Sequence, residues 1–137
     1  EKQRVKTRED GKDFVALPDT GIQHIKLGIA LEAASERLRA YLNPAGRAVQ
    51  WSDLVDAAER VSGDLGVNRH AWIDACAVMG RYAAALAVLV IDRRMEEAEN
   101  PVRSAGGALR GMTRKAEVDQ LRLHQSVFGI LQRGRAS

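Results

Sequence analysis

The segment 82–91 constrains the fold of this chain more than any other stretch. It reads Tyr-Ala-Ala-Ala-Leu-Ala-Val-Leu-Val-Ile, and the charged residues Asp92 and Arg93 follow it directly. A helix that is apolar on all sides must be buried, and this run is too short to span a bilayer. We therefore predict a central helix around which the other elements pack, and no membrane partner.

The composition favours a single helical domain with an aliphatic core. Of the 137 residues, 45% are hydrophobic but only 4% are aromatic, and the frequent residues Ala, Leu, Arg and Glu are good helix formers. The single cysteine, Cys76, excludes an internal disulfide and fits a reducing cytoplasm. Because the chain begins at Glu1, we interpret it as a piece of a longer protein.

Three segments are predicted along the chain. Residues 1–21 mix charges without a sustained period and contain Gly11 and Pro18, so we expect a linker or disordered lead-in. Residues 22–132 are expected to form an all-α, compact bundle of about five to six helices, which includes a helix-turn-helix-like pair. Residues 133–137 are expected to be a frayed tail.

Apolar spacing and capping residues mark the predicted helices. A three-to-four spacing predicts one helix over about 22–42, and Ser52 is predicted to cap the next helix. The span 69–99 forms either one helix or two helices divided at Gly80, and the division is favoured because a single uncapped span of that length is uncommon in a compact domain. A final short helix that closes the core is predicted from Leu121, Leu123, Val127, Phe128, Ile130 and Leu131.

A glycine turn joins two of these helices. Gly66 suits the left-handed position that ends a helix, and Asn68 can cap the next one. The pattern over 53–79 fits a DNA-binding helix-turn-helix and also an ordinary corner between two helices. The side chains that the second helix would present are Arg69, His70, Ile73 and Asp74. That set is poor in the residues that read bases.

The stretch 100–115 combines a helix start, glycines and cations. Ser104 is predicted to cap a helix over 105–117. Three glycines fall inside this helix: Gly106, Gly107 and Gly111. Each costs about 1 kcal/mol relative to alanine, so we expect a neighbouring helix or a ligand backbone to approach them closely. The stretch lacks the lysine and the preceding strand of a phosphate-binding loop.

Positive charge is concentrated in the last quarter of the chain. Residues 101–137 carry seven cations against two anions, a net charge of +5, whereas the whole chain carries +3. Such a surface can neutralise phosphates without reading sequence, although solvated helix faces explain it more simply. The candidate contacts to DNA or to a partner are Arg69, His70, Arg103, Arg110, Arg114, Lys115 and Arg122.

No pattern in the sequence indicates catalysis. His24, His70 and His124 have no second ligand at metal spacing, and Cys76 lies on an apolar stripe, as a small core residue would. There is no acid–base pair, catalytic triad or cofactor motif. We therefore expect that the protein is not an enzyme and uses no metal or cofactor.

Five motifs in order resemble one family. They are Trp51-Ser-Asp-Leu-Val, Leu65-Gly-Val-Asn-Arg-His-Ala-Trp72, Ala75-Cys-Ala-Val-Met-Gly-Arg81, Ser104-Ala-Gly-Gly-Ala-Leu-Arg-Gly-Met-Thr-Arg-Lys115 and Leu121-Arg-Leu-His-Gln-Ser-Val-Phe-Gly129. Together they resemble the C-terminal region of the replication initiator protein C of repABC-type plasmids. The family often has Pro-Gly-Gly-Tyr-Leu-Arg where this chain has Ala105-Gly-Gly-Ala-Leu-Arg110, so the aromatic residue of that motif is missing here.

The resemblance implies a cytoplasmic bacterial protein that starts plasmid replication at the origin. It also implies that the main DNA-binding domain lies upstream of this region and that no catalytic residues carry over. We expect an accessory interaction domain that contacts host replication proteins or a second copy of itself. The alternative is an auxiliary domain that contacts origin DNA through the 53–79 unit and the basic face of residues 103–122.

Overall fold

The computed structural model describes residues 6–9, 12–15, 17–97 and 104–136, with side chains in 17–97 and 104–134. Its elements in chain order are β1 (Lys6–Glu9), β2 (Lys12–Val15), a short 3-10 helix (Ile22–His24), α1 (Leu27–Ala33), α2 (Glu36–Tyr41), α3 (Trp51–Asp64), α4 (Arg69–Met79), α5 (Arg81–Met95), α6 (Ala105–Glu117) and α7 (Leu123–Ala136). The two strands pair as an antiparallel hairpin, which no pattern in residues 1–21 predicts. The bundle that follows is helical, which confirms the all-α class. Its described residues form seven α-helices rather than five or six.

Helix α5 lies at the centre of the domain. Its residues from Ala83 to Asp92 are all buried, and it contacts α3, α4, α6 and α7. Gly80 separates it from α4 with a φ of 93°, a conformation that L side chains rarely adopt. The predicted central helix and the predicted break at Gly80 are both confirmed. No helix of the described residues is long and apolar enough to cross a membrane.

The single helix predicted over residues 22–42 is wrong. The short 3-10 helix, α1 and α2 occupy this region, and the backbone is extended at Ser35 between α1 and α2. Side chains of α5 hold this break from outside. Arg93 donates a hydrogen bond to the Ala33 carbonyl at 2.7 Å, and the Ser35 hydroxyl donates to the buried carboxylate of Asp92. Apolar spacing could not show the break, because its hydrogen-bond partners lie about 60 residues further on.

Helix α3 begins differently from the prediction. Gln50, not Ser52, occupies the capping position, and its N–H donates to the Asp53 carboxylate at 2.8 Å. Arg47 donates two further hydrogen bonds to the same carboxylate, at 2.8 and 2.9 Å. The Arg47 guanidinium, followed by the Gln50 N–H, lowers the pKa of Asp53. The carboxylate thus replaces a serine hydroxyl as the group that fixes this helix end.

The turn between α3 and α4 follows the prediction. Gly66 has a φ of 83°, and the Val67 N–H donates to the Ser62 carbonyl at 2.9 Å, the bond expected of a Schellman helix end. The Asn68 side chain accepts a hydrogen bond from the Ala71 N–H at 2.9 Å and caps α4. Both predicted roles, the left-handed glycine and the asparagine cap, are confirmed.

Helix α7 closes the core but is longer than predicted. It runs to Ala136 and so includes most of the segment 133–137. Five of the six apolar residues predicted to close the core are buried: Leu121, Leu123, Val127, Ile130 and Leu131. The inward prediction for Phe128 is wrong, because this side chain is 42% exposed. Phe128 lies one position away from Val127 on the helix, which rotates it by about 100° out of the buried stripe.

Candidate binding surfaces

One face of α4 is exposed and carries mixed chemistry. We call Arg69, His70, Ile73 and Asp74 the α4 face; all four are exposed. The opposite side of the helix packs into the core through Ala71, Trp72, Ala75 and Met79. Arg69 pairs with the Glu59 carboxylate at 2.9 Å, while Ile73 is 50% exposed. This surface therefore combines an apolar side chain, a carboxylate and an imidazole with a cation that is paired to Glu59.

Helix α6 directs a row of cations outward. The Ser104 side chain accepts a hydrogen bond from the Gly107 N–H at 3.0 Å, which confirms the predicted cap. We call Arg110, Arg114 and Lys115 the basic α6 face; all three are exposed, and none forms an ion pair with a described residue. Their charge is therefore available to an anionic partner.

The glycines of α6 do not meet the expectation of close packing. A Cβ on Gly106 would lie 4.0 Å from the Val67 Cα, an ordinary contact. Of the residues that the structure describes, a Cβ on Gly107 would touch only the Ser104 side chain, and one on Gly111 would meet none within 4 Å. The first turn of α6 thus lies against the turn between α3 and α4, but without a need for glycine.

The two remaining cationic candidates differ in position. Arg103 lies outside the described residues. Arg122 is exposed, but its guanidinium donates to the backbone carbonyls of Asp119 and Leu121, both at 3.0 Å. Arg122 therefore stabilises the turn between α6 and α7, and it is less free to meet a partner than the cations of the basic α6 face.

A surface cavity beside the start of α5 had no counterpart in the sequence analysis. We call it the Tyr82 cavity; its volume is about 300 Å³. Its apolar lining comes from Leu17, Ile22, Met79, Tyr82 and Ala83, and Arg81 is the one charged residue in the part of the lining that the structure describes. Trp51 stacks on the Tyr82 ring with 5.3 Å between centroids. Because the lining comes from segments about 60 residues apart, no local pattern could have revealed it.

The fold also brings two of the three histidines together. The rings of His24 and His124 lie 5.1 Å apart between centroids. The described residues contain no group of three or more His, Cys, Asp or Glu side chains that could hold a metal ion. Cys76 is half-buried against the core, and burial raises the pKa of its thiol. The neutral thiol is therefore favoured, as expected of a packing residue.

The fold and these surfaces define a small all-helical domain with cationic and apolar areas open to partners. Residues 26–133 match the family described as replication protein C, C-terminal region, and the chain belongs to that family. A Rhizobium rhizogenes protein described as "Putative replication protein C" is 38% identical over 88 residues, 64% of this chain. The matched part is 21% of that protein, so the chain spans about a fifth of its length. No solved structure matches the chain.

Proposed function

We propose that the chain acts as an accessory interaction domain of a plasmid replication initiator, in the bacterial cytoplasm. It supports initiation at the origin by contacting proteins, which are host replication proteins or a second copy of the initiator. The main contact with origin DNA is made by another part of the initiator. The role is one of binding rather than catalysis. Membership of the replication protein C family supports the link to plasmid replication.

The chemistry of the α4 face carries this proposal. A helix that reads DNA presents cations and amides to phosphates and base edges. On α4 the Asp74 carboxylate would repel phosphates, and Arg69 is held by Glu59 at 2.9 Å. Contact with a partner protein would remove the half-exposed Ile73 side chain from water, which stabilises the complex. Full burial of an exposed isoleucine is worth about 1.5–3 kcal/mol, so covering the exposed half of Ile73 is worth about half of that.

A replicon in which this chain replaces the matching region of a replication protein C tests the proposal. Ile73→Asp puts a charge at the centre of the α4 face, and we expect plasmid copy number to fall at least tenfold. Binding of the chimera to its origin, measured by mobility shift, should stay within about twofold. Asp56→Lys is a control of similar exposure on α3 and should leave copy number unchanged. Loss of origin binding with Ile73→Asp would contradict a role in protein contacts.

A second candidate function is auxiliary contact with origin DNA, and the free charge of the basic α6 face favours it. Five arginines of the described residues have a carboxylate within 4 Å: Arg37, Arg47, Arg69, Arg93 and Arg133. The cations of the basic α6 face have none. The approach of Gly106 to Val67 sets α6 beside the turn between α3 and α4, so both could lie along one duplex.

Titration of the chain with origin and random duplexes at two salt concentrations tests this second function. If it is correct, binding falls steeply with salt, and the variant Arg110→Ser, Arg114→Ser, Lys115→Ser lowers the salt slope by about three. The thermal midpoint should change little, because the three side chains are exposed. Equal affinity for both duplexes would make the contact non-specific. Absence of binding at low salt would exclude it.

A further inference from the structure

The Tyr82 cavity has the composition of a protein docking site. Its apolar wall includes Leu17, which is 59% exposed, and Tyr82, which is 41% exposed. Exposed apolar side chains that are contiguous, as these are at one cavity, are typical of protein interaction sites. The stacked Trp51 fixes one face of the Tyr82 ring, so the wall is preorganised. Tyr, Trp and Arg are the residues that most often dominate binding energy at protein interfaces.

Buried core residues support the backbone on the inner side of this cavity. Met79 and Ala83 are each 2% exposed and belong to the core. Gly80 turns the chain between α4 and α5 at a φ of 93°, and a Cβ there would lie 2.8 Å from the Leu17 side chain. Leu17 thus packs directly on the glycine. The inner wall of the cavity is therefore already ordered, so binding of a ligand side chain costs little conformational entropy there.

The charge at the rim of the cavity determines which sign of charge the partner should carry there. Among the described residues that line the cavity, Arg81 alone is charged, and it forms no ion pair with a described residue. Its guanidinium carbon lies 5.8 Å from the centre of the Tyr82 ring, and the side chain is exposed, so it can meet an acceptor on a partner. A carboxylate matches a guanidinium with two parallel hydrogen bonds. A lysine or arginine there would be repelled.

The volume of the cavity limits what it can hold. At about 300 Å³ it lies at the lower end of the range of about 300–1,000 Å³ for small-molecule sites. One large apolar side chain would occupy much of it. Nucleic acid would gain a single phosphate contact from Arg81 and would leave the aliphatic wall without a match, so the chemistry favours a polypeptide.

We infer that the Tyr82 cavity docks an acidic segment of a partner protein, which inserts one large apolar side chain and places a carboxylate on Arg81. This inference rests on the proposed function, since it names the surface and the chemistry of the partner for an interaction domain. It uses a different surface from the α4 face. The two can therefore be tested separately.

Selection of random 12-residue peptides, displayed on phage, against the 137-residue chain tests the inference. The enriched peptides should be acidic and share one Leu, Ile, Phe or Trp. A synthetic copy of the most enriched peptide should bind about tenfold more weakly to Arg81→Glu. On titration it should shift the backbone amide resonances of Gly80, Arg81 and Ala83.

Arg60→Glu is the matched control variant. Arg60 is exposed and lies 5.7 Å from the Tyr41 ring centre, as Arg81 does beside Tyr82, but it does not line the cavity. Peptide affinity for Arg60→Glu should remain within about twofold of the unmodified chain. A selection repeated on Arg81→Glu should lose the acidic preference and enrich basic peptides. Thermal midpoints close to that of the unmodified chain show that both variants fold.

Several results would overturn the inference. They are the failure of any peptide to enrich, enrichment without an acidic preference, and equal binding to Arg81→Glu and the unmodified chain. A dimer in sedimentation that Arg81→Glu dissociates would show a second copy as the occupant instead. A duplex that shifts the same amides would show a nucleic-acid site. The proposed function fails separately, when Ile73→Asp leaves plasmid copy number unchanged in the chimeric replicon.

Discussion

Helices α5 and α6 contact each other but are stabilised in opposite ways. Helix α5 is buried from Ala83 to Asp92 and has no side-chain cap at its start. Helix α6 is capped by Ser104, buries one stripe and leaves its cations in water. The stability of a helix enclosed by four others depends on how well its side chains fill the core and on the buried groups that pair with its polar atoms. A helix with an open face depends more on local chemistry, so its outer residues are free to serve binding.

Among the substitutions that distinguish the two helices, Leu89→Ala should cause the largest loss of stability. Leu89 is fully buried on α5, and truncation of such a leucine leaves a cavity that the neighbouring helices can fill only in part. We expect the free energy of unfolding to fall by about 2–5 kcal/mol, measured by urea denaturation. Arg114→Ala on the open side of α6 should change it by less than about 0.5 kcal/mol. Similar losses for both would mean that the domain does not depend on α5 as described.

Asp92→Ala should have the next largest effect, through a polar contact at the end of α5. The carboxylate is fully buried, accepts a hydrogen bond from Ser35 and lies 3.6 Å from the Arg37 guanidinium. Loss of a hydrogen bond to a charged group costs about 1.5–3 kcal/mol, and we expect a loss in that range. Because Arg37 is 42% exposed, water can solvate it in the variant, which keeps the cost below that of a fully buried pair.

A double-mutant cycle separates the Ser35 contact from the rest of the effect. If Ser35→Ala and Asp92→Ala act through one hydrogen bond, the double variant should lose less stability than the two single losses together, by about 0.5–3 kcal/mol. Urea denaturation of all four proteins gives this coupling. Additive losses would mean that Asp92 acts mainly through Arg37, and that the break between α1 and α2 has another cause.

The difference between α5 and residues 22–42 explains how far the sequence predicts the fold. For α5 the apolar run, the glycine before it and the charges after it are all local, and they agree with its place in the core. For residues 22–42 the apolar spacing alone predicts one helix, while Asp92 and Arg93 hold a break at Ser35. A pattern within a segment carries no information on partners that fold back from a distant helix.

The candidate surfaces show the same difference between what local sequence predicts and what tertiary contacts decide. The outward direction of Arg110 and Arg114 could be predicted, because helix periodicity and the Ser104 cap determine it. The ion pair that occupies Arg69 could not, since Glu59 reaches it from α3 across the turn. The Tyr82 cavity could not be predicted from the sequence either, because its wall forms only where Leu17 packs on Gly80. Local chemistry therefore predicts which way a side chain points, and tertiary structure decides whether it is free.

Ser104→Ala tests the local chemistry that stabilises α6. The variant loses the hydrogen bond from the Gly107 N–H, and loss of a serine cap costs about 1 kcal/mol. Urea denaturation should show this loss, and hydrogen exchange should be faster at the first turn of α6 than in α5. Ser104→Asp should retain the stability, because a carboxylate also accepts the bond and favours the positive helix end. Equal losses in both variants would show that the cap is not the cause.

Gly111→Ala should give the smallest change, and a gain. A Cβ at this position meets no described residue within 4 Å, so alanine should stabilise α6 by about 0.5–1 kcal/mol through the lower entropy of the unfolded chain. Gly66→Ala is the opposite control, because its φ of 83° strains alanine and should destabilise the domain. Gly111 has no packing contact among the described residues that requires a glycine, so the variant tests whether a ligand approaches α6 from outside. If that ligand is a duplex or a partner backbone, Gly111→Ala will raise the thermal midpoint and weaken DNA binding or plasmid maintenance in the same preparation. Greater stability with both activities unchanged would mean that the open side of α6 needs no glycine for binding.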